Sequence, residues 1–264
     1  MSEKTTVYGP VKSWRFGRSL GIDPILDIST CSFNCVYCQL GEIQHVTMEQ
    51  RHYVATDRIV AELEQVDWDG VDVVTLSGSG EPTLALNIDE IIDAIHRIGN
   101  KPVMVLTNST WLGDGATQAR LMKADTVACK LDASNDATLQ KVNRPADGVT
   151  LSSIVDGIKS FRAVYTGKLA LQCMLMPMNR SIVHELSELI REIQPDEVHL
   201  NTPRRPKPRS WYLGARGNHV GDSPVATVML KTITLEEARD IEHELRAAIP
   251  TVPILSIYQD APKD

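Results

Sequence analysis

Apolar residues in this chain fall in short runs separated by longer amphipathic stretches, the rhythm of βα units around a parallel sheet. The runs predict strands over 25–29, 72–78, 102–108, 126–132, 168–176 and 197–202. Between them, apolar residues three and four apart predict helices over 57–66, 88–98, 116–123, 149–165 and 182–193, with Thr56 and Asn87 as caps for two. A helix over 235–248 and a strand over 252–258 follow. No internal repeat or low-complexity tract interrupts the pattern.

In parallel α/β folds, ligands gather at the carboxyl ends of the strands. Alternation along each strand then sorts side chains by face. Lys130 and Asp132 share the interior face of the fourth strand, with Cys129 against the helices. Gln172, Met174 and Met176 point inward on the fifth, and Cys173 outward. Asn108 ends the third strand, and His199 and Asn201 share a face at the end of the sixth.

The densest chemistry lies just after the first predicted strand, where Cys31, Cys35 and Cys38 crowd into eight residues as C-x3-C-x2-C. Three thiolates from one turn serve three irons of a [4Fe–4S] cluster and leave the fourth open to an exogenous ligand. A zinc site with His45 as fourth ligand is the alternative, although structural zinc sites bring their ligands in two pairs.

Cys31, Cys35, Tyr37 and Cys38 resemble the signature of the radical SAM superfamily, and Ser77-Gly78-Ser79-Gly80-Glu81-Pro82-Thr83-Leu84 resembles its glycine-glycine-glutamate-proline segment. The resemblance implies an open six-stranded (β/α)6 partial barrel with a short C-terminal extension. It also implies S-adenosylmethionine cleaved at the cluster to a 5′-deoxyadenosyl radical, and a flavodoxin- or ferredoxin-type electron donor. Tyr37 is expected near adenine and Ser79, Gly80 and Glu81 at the methionyl end, with Asn108, Lys130 and Asp132 as further cofactor contacts. A glycine admits close backbone approach, and a carboxylate accepts from an ammonium.

Tyr8–Val11, Arg15–Gly21, Cys38–Gly41, Asn201–Pro203 and Arg205-Pro206 resemble the wyosine-synthase-like subgroup. Wyosine synthases proper hold a second cluster through cysteines upstream of the first motif. No cysteine precedes Cys31, so that cluster is not expected. A glycyl-radical-enzyme activase, a tRNA-modifying enzyme and a zinc-stabilised binding module stand as alternative functions.

With 264 residues and 42% apolar content, the chain is long enough for one core. The expectation is a single domain over 1–264, with an N-terminal segment 1–23, a barrel core 24–206 and a C-terminal closure 207–264. Only Cys129 and Cys173 lie outside the motif, too few for a disulfide framework, so a reducing cytoplasm is expected. No apolar signal core or membrane-length run is present. A net charge of −7 argues against a general nucleic-acid binder. Residues 203–209 nevertheless carry Arg204, Arg205, Lys207 and Arg209. Together with His199 and Asn201, Arg204 and Arg205 are the expected substrate contacts, for a small molecule, an RNA or a protein.

Overall fold

The computed structural model describes residues 4–218 and 224–258. β1 (Val7–Ser13) and β2 (Gly17–Ile22) form an antiparallel hairpin. β3 (Thr30–Cys31) opens the cysteine segment and runs parallel to β4 (His45–Val46). Helices and strands then alternate: α1 (Thr56–Leu63), β5 (Val73–Leu76), α2 (Ile88–Gly99), β6 (Val103–Thr107), α3 (Gly115–Leu121) and β7 (Thr126–Lys130). α4 (Asp136–Val142), α5 (Leu151–Val164), β8 (Lys168–Met174), α6 (Val183–Ile193) and β9 (Glu197–Asn201) continue the series. β10 (Lys207–Pro208) pairs with β11 (Thr227–Val228), and α7 (Leu235–Ala248) leads into β12 (Ile254–Ser256).

The main sheet is an open, curled half-barrel of eight strands in the order β1-β2-β5-β6-β7-β8-β9-β12. Every neighbouring pair is parallel except β1 with β2. The partial barrel is as expected, but the count is eight rather than six, because β1 adds at one edge and β12 at the other. The first parallel strand is also not 25–29 but β2, inside the segment set apart as 1–23. Residues 25–29 form a turn instead: Asp23 Oδ1 accepts from the amides of Ile25 and Leu26, each at 3.0 Å, and Leu26 adopts φ 63°.

Outward strand residues such as Val74, Leu76, Val105, Val127, Cys129, Leu171 and Cys173 are buried in one large core with the helices. Burial of each such aliphatic side chain contributes about 1.5–3 kcal/mol. The inward face differs in kind. At the amino ends of the strands it carries Val73, Met104, Ala128 and Ala170, packed against Phe16 of the β1–β2 turn. Two small alanines here leave space inside the barrel.

Helix starts depart from the expected caps. Thr56 lies within α1, which begins after Ala55 with no side-chain cap. Asn87 stands at the start of α2, but its amide donates to Val54 O and Thr56 Oγ1, tying α2 to α1. Among the described residues, no helix is long and apolar enough to cross a membrane.

Candidate functional site

The cysteine loop is held by backbone bonds to the last residue of α4 and the residue after it. Asn34 N donates to Asn143 O at 3.0 Å and Val36 N to Val142 O at 2.9 Å, while the turn closes through Cys38 N to Cys35 O at 3.1 Å. α4 itself escapes the hydrophobic pattern, although its start is marked by Asn135, whose side chain accepts from Thr138 N. Pro145 soon after it is a stop signal of the ordinary kind.

On the other side the loop meets the glycine-glutamate segment. Thr30 N donates to Ser79 O and Glu81 N to Thr30 O, each at 3.1 Å. A Cβ on Gly80 would stand 1.6 Å from Thr30 O, so only glycine permits this approach. The contact brings the two motifs, some fifty residues apart in sequence, to one rim of the sheet.

Cys31, Cys35 and Cys38 all line a cavity of about 670 Å³ that reaches down to Trp14, Arg15 and Phe16. Asn108 Nδ2 donates to Cys31 Sγ at 3.6 Å, and Asn143 Nδ2 donates to Cys35 Sγ at 3.4 Å. Burial raises all three thiol pKa values, that of Cys35 to about 12, with Lys130 pulling it back. Neutral thiols in such surroundings need a cation to become thiolates, which a metal centre provides. Among the described residues, no group of three or more His, Cys, Asp or Glu side chains, the three cysteines included, is already drawn together around a single point. His45, the candidate fourth zinc ligand, is exposed on β4.

Glu81 is buried and lines the same cavity. Its Oε1 accepts from Thr83 N, Thr83 Oγ1 and Thr107 Oγ1, and its Oε2 from Asn108 N at 2.7 Å. Burial pushes the carboxyl pKa up against these bonds. Oε2, with one partner, retains capacity for a further donor.

A family model described as the Radical SAM superfamily matches residues 25–190. The chain belongs to the radical SAM superfamily. It is therefore an S-adenosylmethionine-dependent enzyme with a [4Fe–4S] cluster. Among relatives, UPF0026 protein slr1464 of Synechocystis is 46% identical over 249 residues, spanning 92% of this chain and 93% of its own. A probable GTP 3′,8-cyclase of Saccharolobus islandicus is 29% identical, over 70% of this chain and 58% of its own. Among solved structures, Streptococcus suis SuiB bound to its precursor peptide SuiA superposes with TM-score 0.63 at 18% identity, over 89% of this chain and 48% of that one. TYW1 with a lysine-pyruvate adduct superposes with TM-score 0.62 at 13% identity, over 89% of this chain and 75% of that one. These two share the fold; they do not single out the wyosine-synthase-like subgroup.

In this radical SAM superfamily member the cavity gathers Tyr37, Gly80, Glu81, Asn108, Lys130, Asn201, Arg204 and Arg205 from the expected residues. Three others do not reach it. Ser79 is fully buried, and its hydroxyl and amide both donate to Asp23 Oδ2. Asp132 lies behind the wall, accepting from the Tyr37 hydroxyl, from Asn143 Nδ2 at 2.8 Å and from Met174 N at 2.7 Å, with Lys130 Nζ at 3.7 Å. His199 is sealed beneath, Nε2 against Glu197 Oε1 at 2.8 Å and its ring edge-on to Trp14 and Phe16. Each is polar because it satisfies buried neighbours.

Sequence reading missed Asp23, Asn143, Tyr8 and Arg216. Asp23 Oδ2 also accepts from Arg216 Nη1 at 2.7 Å, so one carboxylate joins the first strand's exit, the glycine segment and a distant arginine. Tyr8 spans Gly21, where a Cβ would meet its ring at 2.2 Å, and bonds Ser77 Oγ at 2.8 Å.

Asp132→Ala is expected to leave the Tyr37, Asn143 and Met174 donors without an acceptor, destabilising the fold by about 3 kcal/mol. Chemical denaturation checks the loss. Iron retention should fall with it, since Asn143 also steadies Cys35.

Proposed function

We propose that Cys31, Cys35 and Cys38 hold the [4Fe–4S] cluster, that S-adenosylmethionine lies along Gly80, Glu81, Asn108 and Tyr37, and that the substrate sits deeper in the barrel. Supporting this reading is one observation above the rest: the three thiols and the Glu81 carboxylate line a single cavity under the rim that Gly80 and Thr30 clasp. When bound, the cluster and cofactor supply one-electron cleavage to a 5′-deoxyadenosyl radical that abstracts hydrogen from the substrate.

The chain's own groups prepare that site. Amide donors from Asn108 and Asn143 favour the thiolate form of Cys31 and Cys35. Oε2 of Glu81 takes an ammonium of the methionyl end, and the absent side chain of Gly80 lets the backbone stand close. The Tyr37 ring, its hydroxyl anchored on Asp132 and Lys130 Nζ 5.0 Å from its centroid, offers a fixed face to adenine. Walls of Met104, Leu106 and Phe16 exclude water from the reacting carbon. A flavodoxin- or ferredoxin-type protein would deliver the electron from the cysteine-loop side.

Of the substrate classes, a small molecule suits the cavity best, since its volume of about 670 Å³ is shared with the cluster and S-adenosylmethionine and leaves room for only a small group beside them. In the basic run Arg204 donates to Ile257 O at 2.8 Å, and the backbone of Lys207 and Pro208 pairs with β11, so the segment is fixed against the cavity mouth. A tRNA substrate predicts binding that weakens steeply with salt, and an activase predicts recovery of a partner protein.

The test is anaerobic reconstitution with iron and sulfide, reduction by dithionite, and mass spectrometry for 5′-deoxyadenosine in the presence of S-adenosylmethionine. Formation of that product, accelerated by extract small molecules, is the expected result. A protein that loads zinc, or that holds a cluster yet never cleaves the cofactor with any extract fraction, overturns the reading.

A further inference from the structure

The β1–β2 turn, Trp14-Arg15-Phe16, enters the barrel from the amino ends of the strands and forms the cavity floor. Its guanidinium is the unusual group there. Arg15 stands 5.1 Å from the Trp14 ring centroid and 5.3 Å from that of Phe16, a setting that fixes its plane. With the Gln172 amide turned as its hydrogen bonding requires, its oxygen accepts from Arg15 Nη1 and Nη2. Nε is buried without a hydrogen-bond partner.

Among the described residues, no acid forms an ion pair with this cation at contact. Glu197 acts on Arg15 across the interior, but its carboxylate is spent on His199 Nε2 at 2.8 Å and Lys168 Nζ at 2.6 Å. Burial accordingly lowers the Arg15 pKa to about 10, with Glu197 pulling it back. Of the other cations on the wall, Arg216 is engaged with Asp23, Arg204 with Ile257 O and Lys130 with Asp132, while Arg205 lies with Arg204 in the segment after β9, not beside the β1–β2 turn. A rigid guanidinium with no acid at contact, and with more N–H groups on Nη1 and Nη2 than Gln172 can accept, at the bottom of a cavity whose top carries the cysteines, is built to receive an oxyanion.

We propose that Arg15 is the substrate-anchoring residue of this enzyme and that the substrate is a small molecule bearing a carboxylate or phosphate, seated on the Arg15 guanidinium with its reacting carbon toward the cysteine loop. This rests on the reading of the cavity as the radical SAM active site and names the substrate class for it. Arg15 is a binding residue here, acting on the anionic end and not on the reacting atoms. The Gln172 carbonyl and the two aromatic rings aim it.

The test uses reconstituted holoenzyme saturated with S-adenosylmethionine, so that the cofactor's own carboxylate site is filled. Inorganic phosphate and succinate, with succinamide as the neutral match, are titrated by calorimetry at low salt against wild type, Arg15→Gln and Arg15→Lys. Wild type should bind phosphate or succinate and not succinamide. Arg15→Gln should weaken binding roughly ten- to hundred-fold, and Arg15→Lys should restore part of it. Equal anion binding by wild type and Arg15→Gln, or no anion binding by wild type, overturns the proposal. Should Arg15→Gln not fold, the wild-type contrast between succinate and succinamide and the Arg15→Lys variant still decide it. Binding is read without reduction, so a protein that binds these anions but never cleaves S-adenosylmethionine refutes the proposed reaction and leaves the anion seat standing.

Discussion

Alanine at Cys31, Cys35 or Cys38 is expected to bring 5′-deoxyadenosine formation to background, with loss of iron and sulfide from the purified protein. Each thiol lines the cavity, and two of them receive an asparagine amide. A cluster held by three cysteines has no spare protein ligand to replace a lost one. The discriminating controls are Cys129→Ala and Cys173→Ala. Both sit on the outward faces of β7 and β8 within the main core. They should cost about 1 kcal/mol or less in stability, keep their iron and keep turning over. Iron that survives in all three motif variants, or that vanishes with Cys129, would assign the cluster elsewhere.

Gly80→Ala is the second large effect expected, and it acts without removing any functional group. The added methyl would collide with Thr30 O, in backbone on both sides, so neither partner can swing away. The strain should cost about 1–3 kcal/mol of stability. Its larger consequence falls on geometry, because Thr30 precedes Cys31 and Gly80 precedes Glu81. Parting the two segments by about 1 Å moves the cysteine loop against the Glu81 carboxylate, and cofactor cleavage should fall roughly a hundredfold. Gly115→Ala is the control, since nothing lies within 4 Å of its Cβ position and it opens α3. A Gly80→Ala protein with full activity would separate the glycine segment from the cofactor.

The chemistry of this chain was easier to read from sequence than its sheet. Cys31, Cys35, Cys38 and the Gly80-Glu81 pair announce themselves because close spacing of rare residue types survives without any tertiary context. β2 did not announce itself, for a physical reason: its inward residues serve the cavity. Ser19 faces Thr75 at 2.7 Å between hydroxyls, and Gly21 makes way for the Tyr8 ring, so the strand loses the apolar signature of its neighbours. Ile25–Leu26 carries that signature and is bent into a turn by Asp23. The expected cofactor contacts Ser79 and Asp132 and the expected substrate contact His199 lie outside the cavity lining for a related reason. Each is consumed by a partner that no local pattern reveals: Ser79 by Asp23, Asp132 by Asn143 and Met174 N, and His199 by Glu197. Arg15 facing Gln172, and Arg216 on Asp23, depend on contacts across most of the chain.

That last contact bears on when the protein becomes complete. Arg216 reaches Asp23 across 193 residues, whereas the cysteine loop closes on residues about 108 positions later at Asn143. On a ribosome adding roughly 5–20 residues per second, the arginine emerges roughly ten to forty seconds after the aspartate. Until then the nascent chain lacks the stretch of cavity wall that Arg216 contributes, and Asp23 Oδ2 has only the Ser79 donors.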